Sequence, residues 1–242
     1  MQRTGYLMIA DISGYTDFVK LHNLSQKPLI GKAAANFFAT HAEIVISDLL
    51  EAVIDAVEPS MQLNKLEGDA AFFFVDQNNS NDQANEIFNT MQRAHKAFEQ
   101  KQNELAFVQA CGCEPCLQSK NLRLKIFVHK GEYILKEIRQ FSEVAGESVI
   151  FVHRLLKNGI ESDEYWLVSE KFSRELSSEN ASYFSKVSQN VESFGEVTLD
   201  CFMHSERAPR NQNIENRSRI RNWFSQAGYF SKATMKRMVS NN

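Results

Sequence analysis

Apolar and polar positions follow two different periods along this chain. Residues 6–10 form a short unbroken apolar run, the pattern of a strand buried on both faces. Over residues 31–56 the spacing becomes helical: Ala34, Phe37, Phe38, His41, Ile44, Val45, Leu49 and Val53 share one face of an amphipathic helix. Residues 61–66 alternate, Gly68-Asp69 makes a turn, and the run AAFFFV follows, so a hairpin is predicted there. A second helix is expected from Gln83 to about Asn103, with Ile87, Met91, Ala94 and Phe98 inward. Residues 122–128 and 133–138 read as two strands of another hairpin, bracketing a turn at His129-Lys130-Gly131-Glu132. Residues 149–156 suit a buried helix, and residues 164–168 and 197–203 suit short strands.

The early series is β-α-β-β-α-β. That order predicts an α+β fold of the ferredoxin-like, split βαβ kind, a mainly antiparallel sheet with helices on one face. After His204 the chain turns polar and basic, with Arg207, Arg210, Arg217, Arg219 and Arg221. One domain over residues 1–204 is therefore expected, with a tail over residues 205–242 that is partly helical, around residues 220–230, or disordered. Trp223, Phe224, Tyr229 and Phe230 suggest that part of the tail docks.

Composition narrows the class. The 242 residues are 43% hydrophobic and 24% charged, with a net charge of −3. This is ordinary for a globular protein and gives no electrostatic argument for nucleic acid. No apolar run reaches the length of a membrane span, and the N-terminus lacks the apolar segment of a signal peptide. A cytoplasmic protein is expected. Its four cysteines fit a reducing compartment. Cys111, Cys113 and Cys116 stand together in CGCEPC, where three thiolates suit a structural Zn²⁺ with a fourth ligand from elsewhere, or are simply free thiols.

Two carboxylates stand where strands end. Asp11 follows the first apolar run, and Asp69 lies in the EGDA turn. Each suits a local duty, helix capping for Asp11 and turn formation for Asp69. In a split βαβ sheet the first strand lies beside the hairpin, so the two also suit a hard cation such as Mg²⁺ or Mn²⁺.

Four stretches occur in order: IADISGYT, KLEGDAAFF, LKIFVHKGE and VAGESVIFVHRLLKN. Together they resemble the catalytic domain of class III adenylate and guanylate cyclases, in a divergent bacterial branch. The resemblance spans roughly residues 5–203. It implies that Asp11 and Asp69 bind two metal ions, with the backbone carbonyl of Ile12 as a further ligand. It implies that Ser13, Gly14, Tyr15 and Thr16 open a helix whose amides face a triphosphate. Lys65 matches the base-reading residue in its adenine-reading form, with Glu143 as its partner in base reading. Lys125 falls where the family has a phosphate-contacting arginine, and Arg154 matches the arginine that stabilises the transferred phosphoryl. The family shares its sites across a homodimer, so a nucleoside triphosphate and a second copy are the implied partners. Three positions depart from the pattern. Ile150 stands where an asparagine orients the ribose, Phe127 replaces a glycine, and Glu143 replaces an aspartate or threonine. Three readings follow: a metal-dependent nucleotide cyclase favouring ATP, a cyclase-fold module that binds nucleotide or protein without turnover, and, from the cysteines alone, a zinc-stabilised interaction protein. His129, His41 and His153 are expected to be structural.

Overall fold

The computed structural model describes residues 2–22, 32–105 and 119–204, with 224–225, 228–229 and 231 beyond. The cysteine cluster at Cys111, Cys113 and Cys116 and most of the tail lie outside these residues. The chain divides into two compact units. One comprises Met1–Ser13, Ala52–Ala97 and Arg123–Glu206, and the other Gly14–Glu51, Phe98–Leu122 and Arg207–Asn242.

The first unit is built on a sheet. Strand β1 (Gln2–Ser13) pairs antiparallel with β3 (Ala70–Asp76) on one side and β4 (Arg123–Ile138) on the other. Strand β2 (Gln62–Glu67) flanks β3, so the order β2-β3-β1-β4 is that of the split βαβ core. Beyond β4 the sheet continues through β6 (Tyr165–Ser169), parallel to β4, then β8 (Gly195–Met203) and β7 (Ser185–Val191). Strand β5 (Phe141–Ala145) folds back on the end of β4. The sheet is mostly antiparallel. Both central strands are apolar without alternation because they are covered on both faces: Leu7, Met8, Ile9 and Ala10 are buried, as are Ala71, Phe72 and Phe73.

Helix α3 (Gln83–Glu104) covers one face, its Phe88 ring meeting Trp166 edge-on. Helix α4 (Glu147–Arg154), outside the βαββαβ series, packs on the opposite face. Its Val149, Phe151 and Val152 join a core with Leu7, Ile9, Phe72, Phe127 and Leu167. Two short helices, α5 (Glu170–Ser173) and α6 (Ser178–Ala181), follow β6. Cys201 is buried in β8 between Leu167 and Ser185, and burial pushes its thiol up to about 11.

One expected hairpin is corrected. His129 to Glu132 form no turn, because β4 runs unbroken for 16 residues and reverses only after Ile138. Gly131 sits mid-strand, opposite Gly5 of β1.

The second unit contains α1 (Tyr15–His22), the first part of α2 (Lys32–Val57) and the end of α3. Its buried residues include Phe18, Ile44, Val45, Leu49, Phe98 and Leu122. The Gln102 amide donates to the Ser119 and Leu122 carbonyls, at 3.0 and 2.9 Å. From the tail, the Tyr229 hydroxyl donates to Asp48 of α2 at 2.5 Å.

Candidate functional site

The end of β1 and the β2–β3 turn meet. In the β1–β3 register Asp11 faces Ala70, so Asp69 stands one step beyond, beside Ile12. The Ile12 amide donates to the Asp69 carbonyl at 3.1 Å and laces the strand end to the turn. Gly68 supplies the positive φ of 69° that the tight turn requires. Both carboxylates are partly buried. Burial, then the Asp69 charge, push Asp11 up to about 6, against an opposing pull from Lys125. Burial also raises Asp69, partly offset by its own amide. Burial thus disfavours the charge on both carboxylates, and Asp69 adds to the cost of ionising Asp11.

Lys125 is the directly opposite β4 partner of Asp11. Its ammonium stands 5.1 Å from the centre of the Tyr165 ring. The Tyr165 hydroxyl accepts from Asn158 at 2.6 Å, and burial pushes it up to about 12. Ser13, at the end of β1, donates to Asp163 at 3.1 Å. Sequence reasoning missed Tyr165 and Asp163. The signal was the register of β6 against β4, where Phe127 faces Leu167 and two steps back place Tyr165 in the row of Lys125.

Gly14, Tyr15 and Thr16 belong to the second unit. Gly14 has φ 88°, its carbonyl accepts the Phe18 amide at 3.0 Å, and Tyr15 and Thr16 begin α1. The Tyr15 hydroxyl donates to Glu43 at 3.1 Å.

On the hairpin, the β2–β3 register slips between Leu63 and Lys65. Asn64, at that slip, donates to the Ser142 carbonyl of β5 at 3.2 Å, which brings β2 beside β5. Lys65 pairs with Glu67 at 2.8 Å and lies 5.9 Å from the centre of the Phe72 ring. Glu67 also meets His153 Nε2 at 3.1 Å, and His153 Nδ1 is 2.7 Å from the Val149 carbonyl. Burial would push Glu67 up, but Lys65 and His153 outweigh it and hold the carboxyl below its ordinary value. His153, expected to be structural, thus clips α4 to the hairpin. Glu143 is exposed on β5, paired in register with Lys136.

Arg154, at the end of α4, donates to Glu192 at 2.7 Å. Among the described residues it forms no ion pair with Asp11 or Asp69. Ile150 is 53% exposed on the same helix, and Phe127 is fully buried in the core. Within one chain, then, Asp11, Ile12, Asp69 and Lys125 come together, Lys65 is held by Glu67, and Arg154 is engaged elsewhere.

Residues 46–165 match a family described as a protein of unknown function (DUF2652). The chain is 31% identical over 153 residues to the uncharacterized protein Rv2561/Rv2562 of Mycobacterium tuberculosis, an alignment covering 63% of this chain and 70% of that one. The chain belongs to the family of that mycobacterial protein. Its fold is shared more widely. The adenylyl cyclase CyaB from P. aeruginosa superposes with a TM-score of 0.57 at 13% identity, over 86% of this chain and 97% of that one. The guanylyl cyclase Cya2 gives 0.58 at 12%, over 85% and 95%. The guanylate cyclase domain of RhGC from Catenaria anguillulae, solved with GTP, gives 0.52 at 9%, over 84% and 98%. This member of the mycobacterial protein's family therefore has a nucleotidyl cyclase-like fold. Among the described residues no helix is long and apolar enough to cross a membrane.

Proposed function

We propose that this protein is a metal-dependent nucleotidyl cyclase that converts a nucleoside triphosphate, ATP before GTP, to a 3′,5′-cyclic nucleotide and pyrophosphate. The observation that carries the reading is the Asp11–Asp69 pair, two hard oxygen donors where a strand end meets a turn, both raised by burial, with Asp11 raised further by the Asp69 charge. The donor set fits Mg²⁺ or Mn²⁺, with Asp11, Asp69 and the Ile12 carbonyl as ligands. When bound, such ions supply charge neutralisation for the phosphates and acidify the ribose 3′-hydroxyl. The chain's own groups orient and neutralise: Lys125, opposite Asp11 in the β1–β4 register, supplies a cation beside it. Lys65 donates to adenine N1 once it leaves Glu67, with Glu143 as its partner. Arg154 acts from the second subunit of a homodimer, which accords with its having no ion pair to either aspartate in its own chain.

A product assay on purified protein tests this. ATP, GTP, CTP and UTP are each incubated with Mn²⁺ or Mg²⁺ and the products separated, with Asp69→Ala as control. A cyclic nucleotide that disappears in Asp69→Ala upholds the proposal, and its base identifies the substrate. No product from any nucleotide overturns it. The second reading, nucleotide binding without turnover, is favoured by Ile150, whose exposed side chain neither donates nor accepts where a ribose would need a partner.

A further inference from the structure

Lys125 stands between two partners. Asp11, Lys125 and Tyr165 form one row across β1, β4 and β6, all within the sheet unit. Directly opposed residues of an antiparallel pair have Cβ atoms about 5 Å apart, a gap that the flexible lysine stem spans. Asp11 is thus within reach on one side and the Tyr165 ring on the other. The ammonium lies with the ring, 5.1 Å from its centre. Among the described residues Lys125 forms no ion pair with Asp11 or Asp69. Its charge accordingly offsets only part of what burial costs Asp11.

The ring is a fixed surface. Tyr165 is 2% exposed and meets Phe127 edge-on, with centroids 5.8 Å apart at 88°. Its hydroxyl accepts from the Asn158 side-chain amide at 2.6 Å. The same amide donates to the Leu155 carbonyl at 2.6 Å, and the Asn158 side-chain oxygen accepts from the Ile160 amide at 2.9 Å. Asn158 is therefore tied to the backbone through both of its polar atoms, and it fixes the hydroxyl end of the ring. A cation near the face of such a ring is drawn to its quadrupole, more strongly where water is partly excluded.

The consequence falls on Asp11. A lysine bound to that carboxylate would occupy an oxygen that a hard cation needs, and would set a competing positive charge at contact distance. Held on Tyr165, the ammonium stays beside the site without filling it.

We infer that Tyr165 is a positioning residue for the proposed cation site: its ring holds the Lys125 ammonium off Asp11 and so keeps the carboxylate oxygens open to a divalent ion. This rests on the reading of Asp11 and Asp69 as a cation site, and not on turnover.

The test needs no nucleotide. In the metal-free natural protein, NMR cross-peaks between the Lys125 ε-methylene and the Tyr165 ring are expected, and their absence overturns the inference without any variant. Mn²⁺ affinity is then measured by calorimetry, with Asp69→Ala marking the heat that belongs to this site. Tyr165→Phe keeps the ring and should match the natural protein. Tyr165→Leu should bind Mn²⁺ about fivefold more weakly, the factor that one cation–ring contact is worth, because the lysine falls onto Asp11. In a Lys125→Met background the same Tyr165→Leu change should have no effect. A merely structural tyrosine would weaken binding equally in both backgrounds. That result overturns the inference, and so does an affinity that neither Tyr165 substitution alters. No saturable Mn²⁺ binding by the natural protein overturns the cation site itself, and the inference with it. Far-UV circular dichroism confirms the folding of each variant.

Discussion

Asp11 carries a cost that Lys125 only partly relieves. In the folded chain it titrates near 6, against an ordinary value of 3.8. The folded state thus binds more protons than the unfolded state between these values, and stability falls as pH rises from about 4 to 6. The full displacement corresponds to on the order of 3 kcal/mol, and solvent at the partly exposed carboxylate reduces this to about 1–2 kcal/mol. Asp11→Asn is therefore expected to raise the melting temperature at pH 7 and to flatten its dependence on pH between 4 and 6. Mn²⁺ should stabilise the natural protein by mass action and leave Asp11→Asn nearly unaffected. Thermal unfolding across pH, with and without Mn²⁺, checks all three. A melting temperature unchanged by both pH and Mn²⁺ would remove the physical basis of the cation site. At this scale the sequence was informative about Asp11 and Asp69, because Asp11 closes one apolar run and Asp69, after the turn glycine, stands just before another. It was silent on Lys125 facing Asp11, since cross-strand partners depend on register, which no local pattern encodes.

Among the elements, β4 was the least legible. Lys130 and Gly131 carry turn chemistry, yet the strand passes straight through them. Gly131 is required by packing, because α4 approaches so closely that Ser148 occupies the place of a Cβ. Gly131→Ala is expected to destabilise by about 2 kcal/mol or more, since the obstacle lies on a packed helix and not on a free chain end. Chemical denaturation measures it, and pairing with Ser148→Gly should return part of the loss. Strand β7 escaped notice for a different reason. Its sequence SKVSQNV is mostly exposed at the sheet edge, so the apolar signal is weak. Strand β3 and helix α3 were legible because their buried positions form an unbroken run in the one and a helical stripe of Ile87, Met91, Ala94 and Phe98 in the other. Phe151 anchors α4, its ring centroid 4.6 Å from His129 and 5.0 Å from Phe194. Phe151→Ala should cost about 3–4 kcal/mol, read from the denaturation midpoint.

For the molecule as a whole, the proposed reaction requires two copies. Asp11 and Asp69 belong to one face of a chain whose Arg154 is bound to Glu192. Mixing Asp11→Ala subunits with Arg154→Ala subunits is expected to restore part of the activity that each lacks alone, up to about a quarter to a half if one of two shared sites is rebuilt. No recovery in mixed dimers would mean that each chain carries its own complete site. The α+β order was readable from periodicity, and the cyclase-like architecture from four short stretches. The second unit was not foreseen, because a division of contacts leaves no mark in composition.

The burial of Cys201 makes the chain its own stopwatch. With its thiol raised to about 11, only about one molecule in ten thousand carries the reactive thiolate at pH 7, and the sheet shields even that fraction. Alkylation at this position, followed by peptide mapping, therefore counts openings of the sheet between β6 and β7. It times the breathing of the end remote from the aspartates without any foreign label.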